Sequence, residues 1–124
     1  VRFLGKLDAV EEVLSVADLF LMPSENESFG LAGLEALACE VPLITSDAGG
    51  LPELNVQGVT GFLSHVGDVA DMVKNALYVL QDENLPRFKA AALARAHDFE
   101  LSKILPRYEA HYETVLKTMN CESV

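Results

Sequence analysis

The residues best suited to chemistry form one run, Pro23-Ser24-Glu25-Asn26-Glu27-Ser28-Phe29-Gly30-Leu31, which continues to Glu35. The run sits where an apolar strand ends and a helix begins, and in parallel α/β sheets ligands bind outside the carboxyl ends of the strands. A helix starting near Ser28-Phe29-Gly30-Leu31 would present unpaired N–H groups, and Gly30 would let a ligand approach the backbone closely. In outline this is an anion site. Glu27 precedes the helix, and Glu35 falls on its second turn, roughly 10 Å along the axis at about 1.5 Å per residue. One small ligand cannot place a single atom against both carboxylates. An extended ligand, anionic in the middle and rich in hydroxyls at its ends, could meet both, because a carboxylate is a strong acceptor for paired hydroxyls. The plainer alternative makes Glu27 a charge that offsets the helix dipole and Glu35 a solvated helix residue.

Charge narrows the ligand's other contacts. The 124 residues carry nine Lys plus Arg against nineteen Asp plus Glu, a net charge of −10. That balance argues against nucleic acid and against an anionic membrane surface. No cation lies between Lys6 and Lys74, while twelve carboxylates lie from Asp8 to Asp71. An anion bound by this stretch must therefore rely on backbone N–H groups and a helix dipole, or on a cation from elsewhere. Other candidates are weaker. His65, His97 and His111 fall on different elements with no carboxylate or cysteine at ligand spacing, and read as surface or packing histidines. Cys39 reads as a small buried apolar residue and Cys121 as a tail residue; two cysteines fit a reducing cytosol. Gly49-Gly50 lacks the spacing of a phosphate loop and reads as a turn near the site.

The elements that must position these residues follow from apolar runs and their spacing. Val1–Gly5 reads as a strand, and Asp8 as the cap of a helix whose stripe is Val10, Val13, Leu14 and Ala17. Leu19–Met22, stopped by Pro23, and Val41–Thr45 are apolar throughout, as in strands buried on both faces. Between them a short helix runs to about Cys39. A glycine-rich loop leads to a fourth strand, Gly61–Val66. This order predicts an α/β fold, a Rossmann-like parallel sheet with helices on both faces. Beyond it, Asp68 and Asp71 resemble a capping box ahead of the stripe Val69, Met72, Val73, Ala76 and Leu80. Leu85–His97 is a further helix, and a last one carries Leu101, Ile104, Leu105, Tyr108, Tyr112, Val115 and Met119 on one face. Residues 1–66 would thus hold the sheet and site loops, and residues 67–124 the closing helices. No apolar run reaches the roughly 18 residues needed to cross a bilayer. No basic, apolar leader is present, which together with the cysteines gives a cytoplasmic expectation. The opening on Val1, already inside a strand, reads as the start of an excised piece.

The run from Glu27 to Glu35 resembles the E-x₇-E motif of the family 4 retaining glycosyltransferases (glycosyl transferases group 1), which have the two-domain GT-B fold. Phe3-Leu4-Gly5-Lys6, Ala17-Asp18-Leu19-Phe20-Leu21-Met22-Pro23-Ser24, Val41-Pro42-Leu43-Ile44, Gly49-Gly50-Leu51-Pro52-Glu53 and Gly58-Val59-Thr60-Gly61-Phe62-Leu63 resemble that family in the same order. Within it the chain is most similar to the N-acetylglucosaminyl-malate synthases of bacillithiol biosynthesis.

The resemblance implies a role for each site residue. Glu27 would contact hydroxyls of the transferred sugar and steady charge at its anomeric carbon. Ser28 and the N–H groups of Phe29, Gly30 and Leu31 would meet sugar and diphosphate, Glu35 the ribose hydroxyls, and Gly5, Lys6 and Leu7 the uracil of a UDP-sugar donor. The implied reaction is retaining transfer of a sugar such as N-acetylglucosamine to a small acceptor such as malate. No cofactor and no metal are implied, since cations clamp the diphosphate. Those cations and the acceptor surface would come from an upstream half-domain and an N-terminal domain. This chain alone is then expected not to catalyse transfer, and its uncovered sheet edge could pair with a second copy. One residue departs from the family pattern: Glu40 stands where Gly is common, at a helix end that often needs φ > 0. Two alternatives remain open at this point, a non-catalytic interaction module on the same fold and another GT-B enzyme such as a UDP-sugar epimerase.

Overall fold

A computed structural model describes residues 1–28 and 30–99. Three short strands, β1 (Phe20–Met22), β2 (Leu43–Ser46) and β3 (Gly61–Ser64), form one sheet in the order β1-β2-β3. Both pairings are parallel, with Phe20 opposite Leu43 and Leu43 opposite Gly61. Five helices surround the sheet: α1 (Val10–Leu14), α2 (Leu31–Ala38), α3 (Leu51–Leu54), α4 (Val69–Val79) and α5 (Leu85–Asp98).

Alternation along the fully buried β2 separates two layers of core. Leu43 packs with Leu14, Ala36, Leu37, Val41, Leu54 and Ala92 on the α2 side. Ile44 packs with Met72, Val79 and Phe88 on the α4 side. Helix α5 joins the layers, since Phe88 near its start lies in the second and Ala92 in the first. Helices on both faces of a parallel sheet are what the apolar runs predict.

Four expectations need correction. Val1–Gly5 forms no strand; these residues are exposed and without regular structure. A strand exists only where a neighbour takes its N–H and C=O groups, and among the described residues none reaches this segment. Asp8 does not cap α1, whose N-cap is Ala9 with no side-chain hydrogen bond. Leu21 in β1 is 60% exposed, so β1 is not buried on both faces. Finally, Leu51–Leu54 is a single helical turn with Pro52 in its opening positions, where the missing N–H costs nothing. The helix expected over Leu101–Met119, with Tyr108 and Tyr112, lies outside the described residues, as do His111 and Cys121.

Other local readings hold. Asp68 caps α4, its carboxylate accepting from the Asp71 N–H at 3.1 Å. Cys39 packs against the α2-side core as expected, though it is half-buried rather than buried. At the end of α2 the Val41 N–H donates to the Ala36 carbonyl at 2.9 Å and the Glu40 N–H to Leu37 at 3.0 Å. This is a Schellman closure, which requires a left-handed residue after the cap. Glu40 supplies it at φ 63°, alone among the described non-glycine residues in having positive φ.

A buried polar knot ties α3 to the sheet. The Asn55 amide donates to the Thr45 hydroxyl and to the Phe62 carbonyl, each at 3.0 Å, and its carbonyl oxygen accepts from the Thr60 hydroxyl at 2.7 Å. Thr60 in turn accepts from the Val56 N–H at 2.7 Å. From the other side, the Arg95 guanidinium of α5 donates to the Glu53 and Leu54 carbonyls at the end of α3.

Two stability measurements check these points by denaturant midpoint. Glu40→Gly relieves the left-handed strain and should raise stability by about 1 kcal/mol. Asn55→Ala strands several buried partners and should lower it by roughly 3 kcal/mol.

Candidate functional site

The site begins with how α2 starts. Gly30 is its N-cap in the left-handed region, φ 88°, and no side chain caps the helix. The first intrahelical bond runs from the Leu34 N–H to the Gly30 carbonyl at 3.0 Å. The N–H groups of Leu31, Ala32 and Gly33 therefore have no acceptor within the helix. No acidic side chain occupies this first turn.

Glycine at position 30 is set by packing as well as by φ. A Cβ there would stand 2.8 Å from Leu51 Cδ2 and 3.3 Å from Leu54 Cδ2. Helix α3 thus lies directly against the start of α2, with Leu51 and Leu54 fully buried.

The loop carrying Glu27 is held by the Gly-Gly turn that follows β2. The Gly50 N–H donates to the Glu27 carbonyl at 3.3 Å. A Cβ on Gly49, φ 51°, would fall 1.5 Å from that same carbonyl oxygen, so only glycine allows the approach. One step earlier the Ser46 hydroxyl donates to the Ser24 carbonyl at 2.5 Å. Both bonds join the carboxyl ends of β1 and β2, the end at which parallel sheets bind ligands.

Each sequence-predicted residue can now be placed. Glu27 is half-buried, Ser28 exposed and Gly30 buried, all on the β1–α2 connection; Leu31 opens α2 and is exposed. Glu35 lies on the second turn of α2 and is exposed. Phe29 lies outside the described residues. Gly5, Lys6 and Leu7 sit in the exposed N-terminal segment, and no hydrogen bond among the described residues joins them to the loop or to α2.

The residues that hold the site were only partly visible beforehand. The turn at Gly49-Gly50 lies beside Glu27, as its sequence position suggests. The role of Leu51 and Leu54 as the wall behind Gly30 was not visible, since one turn of helix leaves no periodic signal. His65 is a surface histidine, as expected, but it has a carboxylate partner that sequence spacing does not reveal. Its Nδ1–H donates to Asp47 Oδ2 at 2.8 Å. The two residues are 18 apart in sequence, but each directly follows its strand, and Ser46 lies opposite Ser64 in the parallel register. This hydrogen bond, aided by the His65 charge, holds the Asp47 carboxyl below the ordinary aspartate range.

A sequence model of the family described as "Glycosyl transferases group 1" matches residues 1–94. The chain belongs to that family. It is 44% identical over 119 residues to the N-acetyl-alpha-D-glucosaminyl L-malate synthase of Bacillus anthracis, covering 94% of this chain and 31% of that protein. It is 39% identical over 85 residues to the sulfoquinovosyl transferase SQD2 of Arabidopsis thaliana, covering 64% of this chain and 17% of that one. Among solved structures, Anabaena HepE in complex with UDP and glucose superposes with a TM-score of 0.82 at 26% identity, over 91% of this chain and 32% of that one. The sucrose-phosphate synthase of Thermosynechococcus elongatus gives a TM-score of 0.83, also at 26% identity, over 94% of this chain and 30% of that one. The chain spans less than a third of the length of these relatives. The fold shared with these glycosyltransferases is the one expected from the sequence. No described helix is long and apolar enough to cross a membrane.

Two outcomes test this geometry. Gly49→Ala forces the Glu27 carbonyl away and should both lower the denaturation midpoint and shift the backbone amide signals of residues 24–31. His65→Ala should move the Asp47 carboxyl titration upward toward the ordinary value, read by carboxyl carbon NMR. Because the folded-state pKa is depressed, the small stability Asp47 contributes is present above its unfolded pKa. It is lost as pH falls through the folded one, so His65→Ala should narrow the difference only in that acid window.

Proposed function

We propose that this chain is the donor-binding portion of a retaining glycosyltransferase. It would serve transfer of a sugar, N-acetylglucosamine by its 44% identical relative, from a UDP-sugar to a small hydroxy acid such as malate. The observation that carries the reading is the uncapped, glycine-started N-terminus of α2 set between the two motif carboxylates, Glu27 and Glu35. An N–H cluster at a helix start accepts a diphosphate, and a carboxylate on either side accepts hydroxyls.

Each side chain then has one task. The N–H groups of Phe29, Gly30 and Leu31 hold the diphosphate and the adjoining sugar edge, with Ser28 beside them. Glu35, exposed one turn further along, accepts from the two ribose hydroxyls. Glu27 accepts from sugar hydroxyls, and its charge stabilises the positive character that grows at the anomeric carbon as the bond to phosphate breaks. Gly5, Lys6 and Leu7 close over the uracil. No metal has a role in this reading. A leaving diphosphate needs more compensation than a dipole worth about 0.3–2 kcal/mol supplies. The chain has no cation between Lys6 and Lys74. The remaining charge and the acceptor surface are therefore assigned to parts of the protein beyond this chain. Strand β1 is at the edge of the described sheet, where a further strand could pair, and the exposed Leu21 leaves apolar surface on its face for a neighbouring segment to cover.

The test is made in the full-length protein with UDP and a UDP-sugar. Glu35→Ala should weaken UDP binding by about 1–3 kcal/mol, the range for losing a charged hydrogen-bond partner. Glu27→Ala should lower kcat far more than it changes UDP affinity. Unchanged UDP affinity in Glu35→Ala would remove the ribose assignment.

A further inference from the structure

A second cleft lies at the other end of the sheet. It has a volume of about 470 Å³ and is lined by Gly58, Phe62, Lys74, Asn75, Tyr78 and Arg87. Gly58 precedes β3, and Tyr78 lies on the last turns of α4, which runs back from the carboxyl end of the sheet. The cleft is therefore at the amino end of β3, whereas Glu27 follows the carboxyl end of β1.

Its composition runs against that of the chain. In a protein of net charge −10, two cations thirteen residues apart are brought to one cleft. Among the described residues Lys89 pairs with Asp18 and Arg95 with Asp98, but no ion pair involves Lys74 or Arg87. Arg87 is oriented without being neutralised: its guanidinium lies 4.4 Å from the Phe88 ring centre and donates to the Gly58 carbonyl at 3.4 Å. The cleft wall is aromatic. Phe62 and Tyr78 meet edge to face at 5.7 Å between centres, and both contact Phe88. Tyr78 remains 43% exposed, so an aromatic surface is left open beside the two charges.

We propose that this cleft binds a small anion bearing a flat ring, its phosphate or carboxylate between Lys74 and Arg87 and its ring against Phe62 and Tyr78. Charge complementarity selects the anion. Two uncompensated cations attract one, while the surrounding acidic surface disfavours anions elsewhere. The aromatic wall selects the ring, because stacking and edge contacts reward a flat apolar body. The Asn75 amide, which donates to Asp71 at 3.2 Å, lines the same cleft and offers a neutral hydrogen-bonding edge. Such a site is separate from the donor site and could be filled at the same time.

Calorimetric titration of the full-length protein tests this with phenyl phosphate and benzoate, and with inorganic phosphate and phenol as the separated halves. The expected result is one saturable site for phenyl phosphate or benzoate, at least tenfold tighter than for either half. Which of the two binds better identifies the anionic group. The double variant K74Q/R87Q should weaken that binding at least tenfold, and the K74R/R87K exchange should largely retain it. Backbone amide signals of residues 58–62 and 74–87 should shift on binding, and those of residues 24–35 should not. Absence of saturable binding, equal binding by K74Q/R87Q, or shifts confined to residues 24–35 would overturn the proposal. The last of these would mean that the probe occupies the donor site. Both cations are on the surface, and an unchanged denaturation midpoint in K74Q/R87Q confirms that lost binding is not lost folding.

Discussion

The structure depends on one close contact, made where side chains are absent. The Gly-Gly turn and α3 lie directly on the loop and helix start that carry Glu27, Gly30 and Leu31. Gly49 approaches the Glu27 carbonyl oxygen more closely than any Cβ would allow, and Gly30 admits Leu51 and Leu54 against the first turn of α2. The candidate site is hung from that contact, which fixes the direction of the uncapped N–H groups at the start of α2.

The contact is maintained from behind by groups that never reach a ligand. Asn55 holds the end of α3 to β2 and β3 through buried hydrogen bonds, and Arg95 reaches from α5 to the α3 carbonyls. Glycine at the contact leaves little intrinsic stiffness, so rigidity must come from this second layer. The same division appears at the far end of α2, where Glu40 tolerates a left-handed backbone to close the helix. That strain stays local, because the Schellman bonds are made in full.

Much of this was legible from the residues, and what was not has physical reasons. Strands β1 and β2 announce themselves through the apolar runs Leu19–Met22 and Val41–Ile44; for the fully buried β2 this reflects helices on both faces, whereas Leu21 in β1 is exposed. Asp68 and the stripe behind it mark α4 for the same kind of local reason. Val1–Gly5 carries an equally good strand pattern yet forms none, since strand formation is a property of pairs. Helix α3 is one turn long, too short for periodicity, and is stabilised by burial of Leu51 and Leu54 rather than by its own sequence. The pairing of Asp47 with His65 arises from strand register, which a single sequence does not display. Glu27 and Glu35 stood out because they bracket a strand-to-helix junction at E-x₇-E spacing, and the structure puts Glu27 on that connection and Glu35 on the second turn of α2.

The most direct test is a crystal structure of the full-length protein with UDP-N-acetylglucosamine bound. The account predicts diphosphate oxygens at hydrogen-bond distance, roughly 2.7–3.2 Å, from the backbone nitrogens of Gly30 and Leu31. It also predicts both ribose hydroxyls on the Glu35 carboxylate. A donor seated with its diphosphate away from the start of α2, or with Glu35 facing solvent, would contradict it.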